Sequence, residues 1–267
     1  MNDPQVHEEV LHGGVANAGA VVRVGDDVLR PSNVHSPTIH ALLEHLHANG
    51  FDGVPEPIGL EPEGRERLRF IPGEVACPPF PRWFQGDASL ASAAKLLRQY
   101  HDATVSFVPP AGATWSIEMA DPRGSEVICH NDLCPENIVY RAGHAVALLD
   151  FDFAAPGRRV FDIGSFARMC VPIDLPEYAV LVGFTNFDPY HGLRVIADAY
   201  GLPPGRTELL DVMTEQTGRG GAFVRRRVEA GEPAFIEMWN RMGGAERYER
   251  RHEWFVSRRE RFLNELG

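Results

Sequence analysis

The sequence predicts a mixed α/β fold of the α+β kind, a β-rich N-terminal part followed by a mostly helical remainder. Three observations carry this prediction. Residues 10–30 read as short β-prone runs broken by glycine turns. From Tyr178 onward apolar residues recur mainly at helical spacing. Between these parts, residues 127–162 pass from a short apolar run into a polar loop and return through β-prone segments at 138–140 and 145–149, so that two brief strands present a loop.

Taken in order, Gly13, Gly14 and Gly19 punctuate a first bend, and Gly25-Asp26-Asp27 marks a hairpin. No G-x-G-x-x-G is present, so a phosphate-covering loop and a plain glycine hairpin both remain open here. Asn17 can offer its amide to a phosphate or close the turn. Ser36-Pro37 opens a helix with Ser36 as N-cap, Ile39, Leu42, Leu43 and Leu46 form its apolar face, and Asn49-Gly50 ends it. A strand entry at 54–59 and a hairpin at Gly64 lead into Leu68-Arg69-Phe70-Ile71-Pro72-Gly73-Glu74 and a proline-rich run at 78–81. Residues 89–104 form an amphipathic helix whose stripe is Leu90, Ala93, Leu96, Leu97 and Tyr100. Asp162 reads as the N-cap of a helix over 163–170. Later helices are expected at 189–200, 206–230, 233–242 and 245–266.

Composition narrows the function classes. The 267 residues carry 44% hydrophobic and 24% charged side chains, enough for a substantial core in one domain or two lobes. A formal charge of −11 opposes nucleic-acid binding and suits a neutral or cationic partner. The four cysteines, Cys77, Cys129, Cys134 and Cys170, form no disulfide framework, and no apolar run approaches a membrane span, so a cytoplasmic, membrane-free protein is expected. Lys95 is the single lysine. Arg225, Arg226 and Arg227 interleave with acids as a solvated face.

The loop carries the chemistry. His130, Asp132 and Asn137 fall as H-x-D-x-x-x-x-N, and the second strand delivers Asp150-Phe151. That arrangement suits phosphoryl transfer: one carboxylate takes or orients a hydroxyl proton, while an amide and a second carboxylate offer oxygens to Mg²⁺. Turn-forming Asp and Asn would explain each residue singly but not their joint spacing. A zinc cluster of Cys129, His130 and Cys134 lacks the paired spacing such sites use.

With Asp162-Ile163-Gly164 added, residues 128–166 resemble the aminoglycoside phosphotransferase and choline kinase-like family of small-molecule kinases. The resemblance implies a two-lobed protein kinase-like fold, with a small antiparallel-sheet lobe over 1–72 and a helical lobe over 73–267. It implies ATP and Mg²⁺ as cofactors, Asp132 as catalytic base, Asn137 and Asp150 as metal ligands, and His130 and Asp162 as supports. It implies that backbone near Phe70 and Ile71 meets the adenine. The family's phosphate-binding lysine is absent, and by position Arg30 matches it, either to bind phosphate or to form a surface salt bridge; the partner glutamate of the first helix is absent too, leaving His40 or Glu44 to meet Arg30. His101 is expected to be structural, Asp152 a turn carboxylate or a neighbour of the metal, and Trp239 and Trp254 either core or pocket floor. Without an Ala-Pro-Glu segment the acceptor is expected to be a small molecule with a hydroxyl, an aminoglycoside or other antibiotic among the candidates and a cationic one favoured by the net charge. A monomer or weak dimer is expected. The alternative is a catalytically weak, kinase-like immunity protein that sequesters a toxin or ligand.

Overall fold

The computed structural model describes residues 8–11, 19–185 and 187–267. The bend at Gly13 and Gly14, and Asn17 with it, lie outside the described residues. The N-terminal part is a five-stranded antiparallel sheet of β1 (Glu8–Val10), β2 (Val22–Val24), β3 (Asp27–Pro31), β4 (Pro57–Glu61) and β5 (Arg65–Arg69), in the order β1-β2-β3-β5-β4. Gly25 closes the β2–β3 hairpin at φ +63° and Gly64 the β4–β5 hairpin at φ +76°, both in the left-handed region open to glycine. In β5 the two-residue period buries Glu66 and Leu68 on one face and turns Arg65, Arg67 and Arg69 the other way. The β3–β5 register sets Arg30 directly opposite Glu66.

Helix α1 (Ser36–Ala48) buries Ile39, Leu42, Leu43 and Leu46 against this half, as its apolar stripe requires. Ser36 is its first helical residue rather than its N-cap. The entry is made instead by Asn33, whose Oδ1 accepts from the His35 amide at 2.8 Å, while Ser36 Oγ accepts from the Asn33 amide at 2.9 Å.

The remainder starts with α2 (Asp87–Thr104), followed by β6 (Val127–Cys129), a single 3₁₀ turn (Pro135–Asn137), β7 (Ile138–Arg141), β8 (His144–Leu148) and β9 (Ala155–Gly157). β7 and β8 form one antiparallel hairpin, and β6 pairs with β9. Helices α3 (Arg159–Cys170), α4 (Pro176–Leu181), α5 (Pro189–Tyr200), α6 (Glu208–Glu229), α7 (Pro233–Arg241), α8 (Gly244–Ser257) and α9 (Arg259–Leu266) complete the chain. None of the described helices is long and apolar enough to cross a membrane.

Two expectations change here. The helix foreseen over 245–266 breaks at Arg258 without glycine or proline. The bend brings Phe262 within 4.5 Å, centroid to centroid, of Tyr190 on α5 and seats it beside Trp254 and Phe255. Asp162 sits within the first turn of α3, past the cap residue Arg158, because its carboxylate is drawn to the loop before β7.

Helix α2 is the strut of the core. Leu90, Ala93, Leu97 and Tyr100 are wholly enclosed. Near its start Ser89 Oγ donates to Gly143 O at 3.0 Å and Ser92 Oγ accepts from the Ala145 amide at 2.9 Å, which fixes the β7–β8 hairpin. The segment after β5 joins that hairpin through reciprocal bonds, Glu74 N to Tyr140 O at 2.9 Å and Tyr140 N to Glu74 O at 2.7 Å. Gly73 permits this approach, since a Cβ there would press on Val139 Cγ1 and lie 2.7 Å from Tyr140 O. Gly73→Ala is therefore expected to lose about 1–3 kcal/mol, the usual cost of overpacking. Urea unfolding checks this, and an unchanged midpoint would show that the contact is slack.

Candidate active site

The polar loop after β6 is held from below by one carboxylate. Asp162 accepts from the His130 amide at 2.7 Å, the Asn131 amide at 2.8 Å and His101 Nε2 at 2.9 Å. Burial works to raise its pKa, but these donors and the neighbouring histidines hold it below the ordinary carboxylate value. His101 Nδ1 meets Tyr200 Oη at 2.7 Å, so α2, α3 and α5 converge on the same point. His101, Cys129 and Asp162 bring potential ligand atoms within 4.8 Å of one another. Those groups are already committed, Asp162 as above and Cys129 Sγ donating to Arg158 O at 3.3 Å.

His130 stiffens the loop from inside. Its Nε2 donates to Leu149 O at 2.8 Å and its Nδ1 accepts from the Asp132 amide at 3.3 Å, a pattern that requires the neutral Nε2–H tautomer. Burial pushes its pKa down and favours the same state. The ring packs 4.6 Å from that of Phe151, joining the loop to the segment after β8. Asn131 at φ +65° and Asp150 at φ +62° take left-handed backbone that non-glycine residues adopt only under constraint.

Asp132, Asn137 and Asp150 come together at the mouth of this loop. Asn137 Nδ2 donates to Asp132 O at 2.8 Å and lies 3.4 Å from Asp132 Oδ2, which leaves Oδ1 on the opposite side of the amide. Leu149 N donates to Asn137 O at 2.8 Å and sets Asp150 beside it. Asp132 is pushed up to about 8, first by desolvation and then by the charge of Asp150, with Glu136 and Asp152 adding to the repulsion. The acidic surplus and the oxygen-only donors Asn137 and Asp150 fit a hard divalent cation. Arg30 engages only Oδ1 of Asp150, so Oδ2 is left for a metal.

Arg30 is the counter-charge. From β3 its Nε lies 3.1 Å from Glu66 Oε1, its Nη1 3.0 Å from Asp150 Oδ1, and its Nη2 against Asp152. The side chain is 7% exposed. Desolvation opposes its charge, but Asp150, Asp152 and Glu66 outweigh that and raise its pKa further. Asn33 Nδ2 adds a bond to Asp152 Oδ1 at 3.2 Å.

Neither residue expected to pair with Arg30 does so. Glu44 is exposed, and His40 Nε2 donates to Glu66 Oε2 at 2.8 Å, reaching Arg30 only through that carboxylate. Glu66 was the missed residue. Its signal lay in the alternation of β5, which places it on the face of Leu68, opposite Arg30. Asp152, expected first as a turn carboxylate, proves to be a partner of Arg30 alongside Glu66 and Asp150. The Phe70 amide is taken by Asp26 O at 2.8 Å, while the Arg23 guanidinium covers its ring at 3.9 Å. Trp254 is core, and Trp239 is half-buried and stacked on Tyr248 at 5.2 Å.

Comparisons with known proteins bear on the family and the fold. Residues 113–194 match the model of a family described as the phosphotransferase enzyme family. Over 207 residues the chain is 34% identical to the trifolitoxin immunity protein of Rhizobium leguminosarum bv. trifolii, covering 76% of each. A choline/ethanolamine kinase family protein from Mesorhizobium loti superposes with TM-score 0.60 at 16% identity, covering 95% of this chain and 93% of that one. The GDP complex of wild-type aminoglycoside 2'-phosphotransferase-IIIa gives TM-score 0.59 at 15% identity, covering 96% and 94%. Likeness at such identities shows the fold, the two-lobed protein kinase-like one.

Two outcomes follow from the site's charges. Arg30→Met strands Glu66 in the interior and leaves Asp150 and Asp152 uncompensated, so a loss of about 3–5 kcal/mol in urea unfolding is expected; a loss near zero would show the clamp to be ornamental. Between pH 4, the unfolded carboxyl's range, and about 8, the folded chain keeps a proton on Asp132 that the unfolded chain has released. Wild-type stability therefore falls across that window on account of Asp132 and levels off above it. Asp132→Asn lacks this loss, so unfolding curves at pH 5 and pH 9 should show the variant gaining on wild type at the higher pH. A constant gap would contradict the raised value.

Proposed function

We propose that this chain, which belongs to the phosphotransferase enzyme family, moves the γ-phosphate of ATP to a hydroxyl of a small molecule. The observation that supports this most is the convergence of Asp132, Asn137 and Asp150 at a loop braced by Asp162, with Arg30 facing them from the sheet. We take residues 1–72 as the nucleotide-binding lobe and 73–267 as the catalytic and substrate-binding lobe. The backbone at Phe70 and Ile71 then lies at the joint where an adenine would sit, with the Phe70 carbonyl and Ile71 as its available groups.

In this reading Asp132 orients the acceptor hydroxyl and takes its proton as the oxygen bonds to phosphorus. A base near neutrality serves that role well, and environment alone has brought Asp132 there. Asn137 and Asp150 would hold Mg²⁺, which when bound supplies charge neutralisation on the nucleotide's phosphates. Arg30 steadies the phosphates that are not transferred, its fork exchanging some of its carboxylate contacts for phosphate oxygens. His130 and Asp162 touch no reactant and keep the loop in place. Most of the catalysis asked of such a site is positioning and charge stabilisation, and the buried, hydrogen-bonded loop supports both.

A second reading is favoured by the similarity to the trifolitoxin immunity protein: a kinase-like chain that protects by sequestering a toxin or ligand, with little or no turnover. ADP release separates the two. With Mg·ATP and a panel of hydroxylated antibiotics and metabolites, the first reading expects acceptor-stimulated release, lowered at least a thousandfold by Asp132→Asn while ATP still binds. Equal turnover in the two proteins would sink the assignment of Asp132, and ligand binding with no nucleotide-dependent turnover would favour sequestration.

A further inference from the structure

Beyond Asp132 the surroundings turn basic, against the acidity of the chain as a whole. Arg168, near the end of α3, is half-buried beside α6, where Gly220 makes room for it: a Cβ there would stand 3.4 Å from both of its terminal nitrogens. Its Nε is buried with no hydrogen-bond partner, and among the described residues no carboxylate lies within ion-pair distance of it. Its neighbours make matters worse for the charge. Arg251 donates to the Arg168 carbonyl at 3.1 Å and to Ile173 O at 3.0 Å, and it shares the carboxylate of Asp174 with Arg247. Three guanidiniums thus have one acid among them. Burial first, and repulsion from Arg251 second, bring Arg168 down to about 10.

A guanidinium left unpaired in such a place costs stability, and a chain with 37 acidic residues had ample means to pair it. On either side of Arg168 along α3, Ser165 Oγ donates to Asn131 O at 3.2 Å and Cys170 Sγ to Leu133 O at 3.7 Å, so the segment bearing Arg168 lies against the one bearing Asp132, yet the two side chains make no ion pair. A short molecule with a hydroxyl at one end and a negative group at the other would answer both groups. Resting on the phosphotransferase reading, we propose that Arg168 anchors an anionic group of the acceptor, a carboxylate or phosphate ester, and so sets the acceptor hydroxyl against Asp132. The acceptor's own charge is then opposite to the one that the net charge of −11 suggests, because a pocket answers to its local field.

Arginine Nε–Hε resonances of the ¹⁵N-labelled full chain test this without requiring turnover. The Arg168 signal is identified by its absence from Arg168→Lys, and wild type is titrated with glycerate, glycerol 3-phosphate, glycerol and choline. Saturable shifts with glycerate or glycerol 3-phosphate, and none with glycerol or choline, are expected; the preferred anion tells carboxylate from phosphate ester. An unmoved signal with both anions, or equal shifts with all four, overturns the proposal and leaves Arg168 as a distant counter-charge to Asp132. In ADP release with the preferred anion, Arg168→Gln should raise the half-saturating concentration at least tenfold, more than it lowers the saturated rate. Release with choline alongside an anion-blind Arg168 signal refutes the anchor and spares the phosphotransferase; a saturable anion shift with no turnover for any acceptor does the reverse.

Discussion

The guanidinium of Arg30 is the charge on which the cleft depends. Three carboxylates reach it from two directions, Glu66 from the neighbouring strand and Asp150 and Asp152 from the segment that follows β8. Without it, those acids would face one another uncompensated at short range, with Glu66 enclosed and Asp150 and Asp152 partly shielded from water. A lysine could not replace it contact for contact, since a single ammonium lacks the forked donors that address three partners at once. Arg30 on β3 and Glu66 set opposite it on β5 thus form one unit built from two strands. His40 completes it by holding the second oxygen of Glu66.

A second constraint lies deeper, at Asp162. Its two oxygens satisfy the first amides of the polar loop after β6 and a histidine of α2, so the loop's shape is set by the packing of α2, α3 and α5 and not by the loop itself. This explains how Asn131 and Asp150 can both keep left-handed backbone without glycine. The strained positions sit at either end of the contact between His130 and Leu149 O, where the local structure leaves no other way through. Rigid support under a solvent-reachable carboxylate cluster is the arrangement a positioning-driven reaction calls for.

Much of this was legible in the sequence where one local pattern decides the outcome. The apolar stripes of α1 and α2, the glycine hairpins and the spacing of His130, Asp132 and Asn137 each follow from a period or a turn preference. What escaped depends on pairing across distance. Glu66 could be found only by aligning β5 against β3, a register the single strand does not state. Ser36 reads as a cap because serine so often is one, but Asn33 two residues before the cap position competes for the entry. The break at Arg258 has no breaker residue and is explained only by what Phe262 packs against. Asp162 gives an N-cap signal, yet long-range donors claimed the carboxylate. Arg168 carries no signal at all in the sequence, since its isolation is a property of its neighbours.

A phosphotransferase scaffold and a relative described as an immunity protein meet in whether the acids around Arg30 still receive metal and nucleotide together. Calorimetric titration with ATP, in the presence of Mg²⁺ and again with the metal chelated, addresses this most directly in wild type and in Asp150→Ala. The account predicts saturable binding with Mg²⁺, at least tenfold weaker binding without it, and loss of that metal dependence in Asp150→Ala. Binding of equal strength with and without metal, or the same metal dependence in the variant, would contradict the seat assigned to Asn137 and Asp150.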